Sequence, residues 1–150
     1  NEKVMVSRSL SKSYGLAGLR FGFVIAQPQV LEQLNKVKDS YNCDSLSIAG
    51  ATAAIDDRAW FDRTRGAILT TRSRLAAELQ RLGFACVDSQ ANFVWCRHAK
   101  AASKELYQRL KAEGVLVRYM NYTGWGDGLR ISVGSDEQID TLLAKLEPML

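Results

Sequence analysis

Residues 7–22 carry several serine hydroxyls together with Lys12 and Arg20, in a short segment rich in glycine. Apolar residues at 4–6 and 21–25 flank this segment, which predicts two strands joined by a flexible loop. Hydroxyl and backbone N–H groups donate hydrogen bonds to phosphate oxygens, and a guanidinium binds two oxygens at once. A lysine amine becomes a nucleophile once it loses its proton. These residue types therefore suit a phosphorylated ligand.

The spacing within this segment is more specific than its composition. Ser9-x-Ser11-Lys12, then Arg20 and Gly22, resembles the lysine segment of pyridoxal-phosphate-dependent aminotransferases of the aspartate aminotransferase fold type, fold type I. The resemblance implies that Lys12 binds the aldehyde of pyridoxal 5'-phosphate covalently, while Ser9, Ser11 and Arg20 bind its phosphate. Ser-x-Ser-Lys alone is more typical of a solvated surface turn, because these residues are common in turns. The added arginine and glycines favour the cofactor site.

A second candidate site lies near the C-terminus, where Arg130 interrupts the apolar run 129–133. An arginine in an apolar strand is expected to be partly buried and to need an anionic partner. From the residues alone, that partner is either a substrate or an acidic side chain such as Asp127. The resemblance implies the substrate, because members of the family use such an arginine to bind the substrate carboxylate bidentately.

Two further stretches resemble one subfamily, the histidinol-phosphate aminotransferases: residues 117–134 and Ser89-x-Ala91-Asn92-Phe93. The resemblance implies amino transfer between L-histidinol phosphate and 2-oxoglutarate, a step of histidine biosynthesis. One substrate then carries a phosphate ester where glutamate carries a carboxylate, so Arg118 is expected to join Arg130 in binding both anions. The alternative for Arg118 is a charge on an edge strand that faces water.

The family's mechanism makes Lys12 the general base and acid of the transfer. In the family, the residue that pairs with the cofactor's pyridine nitrogen and the residue that stacks on its ring both precede the lysine segment. We therefore expect the parent protein to be an enzyme and this fragment alone to be inactive. Three alternatives stay open. They are an aminotransferase for aromatic amino acids, a decarboxylase of phosphorylated amino acids with the same fold, and a non-catalytic effector domain of a regulator.

The predicted fold class is α/β, with residues 1–58 as the end of the large cofactor-binding domain and residues 59–150 as the small C-terminal domain with its long connecting helix. Helical periodicity and end signals predict five helices, at residues 28–37, 45–55, 59–82 and 101–113 and from the capping box Ser135-x-x-Gln138 onward. Further strands are predicted at residues 84–87, 92–96, 115–119 and 129–133.

Composition limits the other function classes. The 150 residues carry a net charge of only +4. Five arginines on the long helix, at 63, 65, 72, 74 and 81, fit a solvated face better than a nucleic-acid surface, because no interleaved aromatic residues accompany them. No apolar run reaches the roughly 20 residues that span a bilayer. We therefore expect neither nucleic acid nor membrane as a partner. The resemblance implies an amino donor, a 2-oxo acid and a second copy in a homodimer.

The cysteines and the single histidine bear on location and metal binding. Cys43, Cys86 and Cys96 are odd in number and widely spaced, which fits neither a disulfide framework nor a metal site. They indicate a reduced, cytoplasmic location. His98 stands in a polar stretch and is predicted to be an exposed surface residue.

Overall fold

The computed structural model describes residues 3–124 and 126–150, and it divides into two compact units. The first unit extends to Arg65 and the second comprises Gly66–Leu150. The division falls within the long helix, whereas the boundary predicted from the sequence, after residue 58, lies at the start of that helix. The assignment of the two parts to a large and a small domain stays a prediction. Trp125, part of the run that resembles the subfamily, lies outside the described residues.

The first unit begins with an antiparallel hairpin of β1 (Val6–Ser9) and β2 (Gly22–Ile25), in which Ser9 lies opposite Gly22. A short 3-10 helix, Ala17–Leu19, lies in the connection. Helix α1 (Pro28–Val37) begins with the predicted proline, and α2 (Ser45–Asp56) follows with Asp44 as its N-cap. β1 therefore lies later in the chain, closer to Lys12, than the apolar run 4–6 from which the sequence predicts a strand.

The second unit contains most of α3 (Arg58–Arg81) and a four-stranded sheet. The strands are β3 (Phe84–Cys86), β4 (Phe93–His98), β5 (Arg118–Tyr122) and β6 (Gly126–Ser132), in the order β3-β4-β6-β5 with all neighbours antiparallel. Helix α4 (Ser103–Ala112) lies between β4 and β5, and α5 (Asp136–Leu146) follows β6. A last 3-10 turn is Glu147–Met149.

The core of the second unit lies between one face of the sheet and its helices. Alternate strand residues and the apolar stripes of α3, α4 and α5 form one buried cluster: Leu75, Leu79, Phe84, Val94, Cys96, Leu106, Leu110, Leu129, Ile131, Ile139, Leu142 and Leu146. The predicted capping box at Ser135 and Gln138 is present at the start of α5. Gly83 and Gly114 follow α3 and α4 with positive φ angles of +89° and +78°, as expected for helix-ending glycines.

Other expectations also differ from the structure. The β-rich run 115–119 contributes only its last two residues to β5, because that strand extends as far as its pairing with β6, from Arg118 to Tyr122. His98 is half-buried rather than exposed, because strand alternation directs it to the helix-covered face, where its ring lies 5.0 Å from that of Phe84. Two arginines of α3 are in ion pairs rather than simply solvated: Arg74 with Asp136 and Asp140, and Arg81 with Glu78 and Glu147.

Candidate functional site

Lys12 lies in a turn, residues 10–16, that we call the lysine turn. Leu10 fixes the turn: its side chain is 1% exposed, its N–H donates to Phe21 O at 3.2 Å, and its carbonyl accepts from Leu16 N at 3.1 Å. Gly15 N donates to the carbonyl of Lys12 itself at 3.0 Å. The lysine side chain is exposed, and its amine makes no hydrogen bond or ion pair with the described residues. The fold thus fixes the backbone and leaves the amine available.

The predicted phosphate ligands surround this turn in the chain. Ser9 Oγ accepts a hydrogen bond from Ser11 N at 3.2 Å, so its own proton remains available for an anion. Arg20 has a φ angle of +53°, in the left-handed region that costs a non-glycine residue energy. Its Nη1 donates to Ala17 O at 2.9 Å. A Cβ at Gly22 would lie 2.8 Å from Arg8 O, so the hairpin can close beside Arg20 only with glycine there.

Helix α2 supports the 3-10 helix that precedes Arg20. Ser47 is buried, and its hydroxyl lies 2.6 Å from Asp44 Oδ2 and 3.3 Å from Leu19 O. Leu19 also packs on Gly50, where a Cβ would come within 2.9 Å of its Cδ1. The small residues of α2 predict close packing, but nothing in the sequence singles out Ser47, because its partner is remote in the chain.

Arg118 and Arg130 lie directly opposite each other on β5 and β6. Trp95 lies opposite Arg130 on the other neighbouring strand, so the three side chains share the sheet face that carries no core residue. Arg118 is exposed and Arg130 is half-buried, with its guanidinium carbon 4.0 Å from the centre of the Phe93 ring. Like charges directly opposite one another are destabilising unless an anion lies between them. The pair is therefore a candidate anion site.

Asp127 does not neutralise this pair. It alternates with Arg130 along β6 and so belongs to the opposite face of the sheet, where it interacts with Tyr119. Burial, together with this carboxylate, raises the pKa of the Tyr119 phenol. Within the part of the chain that the structure describes, neither Arg118 nor Arg130 makes a hydrogen bond or an ion pair.

The ring under Arg130 is held by the segment just before it. Ser89 Oγ donates to Phe93 O at 2.5 Å and accepts from Ala91 N at 3.1 Å, while Arg72 Nη1 donates to Ala91 O at 2.9 Å. This segment is part of the resemblance to the subfamily, but the resemblance implies no role for Phe93. Its contact with Arg130 depends on the register of β4 against β6, which local sequence does not determine.

The candidate residues thus form two groups, one in each unit: Ser9, Ser11, Lys12 and Arg20 in the first, Arg118 and Arg130 in the second. Their roles stay predictions. Among the described residues, no cluster of three or more histidines, cysteines or acidic residues could hold a metal ion. No described helix combines the length and the apolar character that a bilayer crossing requires.

Comparisons with known proteins place these groups in a family context. The model of the family "Aminotransferase class I and II" matches residues 1–146. A histidinol-phosphate aminotransferase of Rhodopirellula baltica is 52% identical over 147 residues, which cover 98% of this chain and 41% of that protein. One from a Nostoc species is 45% identical and covers 100% of this chain and 42% of that protein. The chain thus spans about four tenths of the length of these relatives.

Solved structures show the same similarity. The histidinol-phosphate aminotransferase of Sinorhizobium meliloti, in complex with pyridoxal-5'-phosphate, matches with a TM-score of 0.87 at 27% identity. The match covers 99% of this chain and 41% of that one.

Proposed function

Because the chain belongs to the class I and II aminotransferase family, we propose that its full-length protein is a pyridoxal-phosphate-dependent enzyme that transfers the amino group of L-histidinol phosphate to 2-oxoglutarate. Curated relatives at 45–52% identity bear that donor in their names, which supports the choice of substrate. The observation in this chain that carries the proposal is the lysine turn. Main-chain hydrogen bonds of Leu10 and of the Lys12 carbonyl hold the turn, while the Lys12 amine has no partner among the described residues.

The donor set around the turn fits the cofactor. Ser9 and Ser11 supply hydroxyl protons and Arg20 supplies the guanidinium N–H groups not used by Ala17, so the phosphate would meet neutral and charged donors. Lys12 supplies an amine that can link to an aldehyde. Pyridoxal phosphate, when bound, supplies an electron-withdrawing ring that stabilises negative charge on the carbon bearing the amine.

In this proposal Lys12 is also the proton carrier. Its Nζ accepts a proton from the amine-bearing carbon of the donor and returns one to the carbon of the acceptor in the second half of the transfer. An amine fixed through its backbone and free at its tip can do both without rearrangement of the turn. The role explains why the hydrogen bonds of this segment involve main-chain atoms around Lys12 and not its amine.

The two arginines on the sheet suit a pair of alternating substrates. Histidinol phosphate presents a phosphate ester and 2-oxoglutarate presents carboxylates, and a guanidinium can bind either bidentately. Arg130 is held against Phe93, whereas the more exposed Arg118 is free to adapt to the bulkier anion. A homodimer and a cytoplasmic location complete the proposal. The homodimer rests on the family resemblance, and the location rests on the number and spacing of the cysteines.

The direct test is to locate the cofactor in the full-length protein. After incubation with pyridoxal phosphate and reduction with borohydride, peptide mass mapping is expected to find the cofactor-derived mass on Lys12. Lys36→Met is the matched control, because Lys36 lies on α1 of the same unit and its amine binds Gln33. Stable labelling at Lys36 instead of Lys12 would contradict the role of Lys12 as the lysine that binds the cofactor.

The substrate is tested with a panel of amino donors. We expect the highest kcat/KM with L-histidinol phosphate and formation of glutamate from 2-oxoglutarate. A preference for aromatic amino acids, or release of carbon dioxide from a phosphorylated amino acid, would instead support one of the alternative enzymes. Cofactor labelling without turnover of any donor would support the regulator.

A further inference from the structure

Two of the three cysteines meet across the strands β3 and β4. Cys86 lies directly opposite Cys96, although the two are separated by a loop in the sequence. Val87 N donates to Trp95 O at 3.1 Å, so the adjacent position in the register, Val87 with Trp95, is a hydrogen-bonded pair. Antiparallel ladders alternate, and the cysteines therefore occupy a non-hydrogen-bonded position.

That position has the backbone spacing that a disulfide requires. Non-hydrogen-bonded partners have Cα atoms about 4.5 Å apart with side chains on the same face. Disulfides span Cα separations of about 4.4–6.8 Å. Cys86 and Cys96 are both free thiols in the structure, so a bond between them needs side-chain rotation but no change of register.

The environment gives the two thiols different reactivities. Cys96 is fully buried in the core of the second unit, whereas Cys86 is half-buried at the edge of the sheet. The hydrogen bond with Cys96 lowers the pKa of Cys86, while that same interaction and burial raise the pKa of Cys96. The accessible sulfur is thus the one that more readily becomes a thiolate, the form that attacks a disulfide.

Cys86 also opens onto a cleft of about 360 Å³ in the second unit. The cleft is lined mainly by polar residues, among them Arg72, Ser73, Gln80 and Asp88. Arg72 is anchored to Ala91 O and presents positive charge there. A small anionic molecule with a reactive sulfur can therefore approach Cys86 and form polar contacts in the cleft.

We propose that Cys86 and Cys96 form a reversible dithiol–disulfide pair, which a small-molecule disulfide such as oxidised glutathione oxidises through Cys86. The Cys86 thiolate attacks one sulfur of glutathione disulfide, which forms a mixed disulfide and releases one glutathione thiolate. The Cys96 thiol then attacks the Cys86 sulfur, and the second glutathione leaves as the thiol with the proton that Cys96 gives up. Two thiols are oxidised to one disulfide, and glutathione disulfide is reduced by two electrons to two glutathione molecules.

The test follows the covalent products in the full-length protein, so it does not depend on the proposed activity. After incubation with glutathione disulfide, a non-reducing digest is expected to contain the peptides of Cys86 and Cys96 joined, and dithiothreitol should separate them. Cys43→Ser, in the first unit, is the control that leaves this product unchanged. Joined peptides containing Cys43, or glutathione on Cys86 with no cross-link at any time, would overturn the proposal.

Two single variants separate the steps. Cys96→Ala removes the second thiol, so the mixed disulfide on Cys86 should accumulate to a stable end point. Cys86→Ser, at the half-buried position, should leave Cys96 unmodified because that thiol is inaccessible. Circular dichroism first establishes that each variant is folded. Glutathione attached to Cys96 in folded Cys86→Ser would contradict the order of attack.

Discussion

The two units hold their candidate residues by different means. In the second unit, Arg130 stands on a strand whose other face is part of a twelve-residue buried cluster covered by three helices. In the first unit, the buried residues among those described are only Leu10, Ser47 and Ala51. The lysine turn relies instead on main-chain hydrogen bonds and one buried leucine, and Arg20, just beyond the turn, has a left-handed backbone.

This difference separates a rigid platform from a locally determined turn. A side chain on a well-packed sheet keeps its position because moving it would disturb many contacts. A turn held by a few hydrogen bonds positions one amine with few contacts. Its conformation therefore depends on each of those bonds. We therefore expect substitutions in the lysine turn to act on chemistry and substitutions in the core to act on stability.

The largest effect is expected at Lys12. In the full-length protein, Lys12→Ala should lower kcat/KM for the proposed amino transfer by at least about 1000-fold, because it removes the proposed covalent link and the proposed proton carrier. The side chain is exposed and unpaired among the described residues, so the Tm of the protein without cofactor should not change. Steady-state kinetics and thermal unfolding of Lys12→Ala and Lys36→Met decide this. An equal loss of kcat/KM in both variants would contradict a specific role of Lys12.

The second largest effect is expected in the core of the second unit. Leu129→Ala empties a fully buried position on β6 and should destabilise the second unit by about 2–5 kcal/mol. Leu10→Ala is its counterpart in the lysine turn, and we expect it to lower the fraction of Lys12 that borohydride fixes. If Leu129→Ala lowers Lys12 labelling per folded molecule as much as Leu10→Ala does, the proposed difference between the core and the lysine turn is wrong.

The same contrast shows which features local sequence could predict. Helix ends follow from nearby residues, and the predicted start at Pro28 and stop signals at Gly83 and Gly114 are present. Pairings across the sheet depend on register, which remote residues determine together with the loop that joins the strands. For that reason neither the opposition of Arg118 and Arg130 nor the contact of the two cysteines could be predicted.

His98 and Arg20 illustrate the same limit at single residues. The polar neighbours of His98 favour exposure, but the pleat of β4 directs its ring toward Phe84, and its Nδ1 accepts hydrogen bonds from two backbone N–H groups, those of Lys100 and Ala101. Arg20 is identified by its spacing from Lys12, yet its left-handed backbone depends on the closure of the hairpin. Motif spacing predicts which residues to examine, and tertiary contacts determine their conformation.

A smaller effect is expected at the arginine pair. Arg130→Ala should lower kcat/KM for glutamate by roughly 30- to 1000-fold, equivalent to about 2–4 kcal/mol, through loss of a charge-assisted bidentate contact. Arg130→Lys should restore only part of this, because an ammonium lacks the planar fork. Arg118→Ala should act mainly on the phosphate-bearing donor. If Arg130 only supports the fold, both Arg130 variants will lower the Tm and leave kinetics per folded molecule unchanged.

The smallest effect concerns pH and the N-cap of α2. Asp44 accepts a hydrogen bond from Ser47 N at 2.8 Å and another from the Ser47 hydroxyl. These bonds lower the pKa of Asp44 below its ordinary value of 3.8. Since the folded pKa is the lower one, the carboxylate contributes stability that is present above the unfolded pKa and lost as the pH falls through the folded pKa.

Asparagine at position 44 can still cap the helix but does not titrate. Asp44→Asn therefore isolates the stability that depends on the charge of the Asp44 carboxylate. We expect a small Tm advantage of the wild type at pH 7 that declines as the pH is lowered below about 4. Glu113→Gln is the matched variant in the second unit, because Lys145, at 2.8 Å, lowers the pKa of Glu113 in the same direction. That pair is a surface ion pair, so its effect should fade in high salt, whereas the N-cap bonds of Asp44 should persist. Equal salt sensitivity of the two variants would contradict the capping role and leave only a surface charge effect at Asp44.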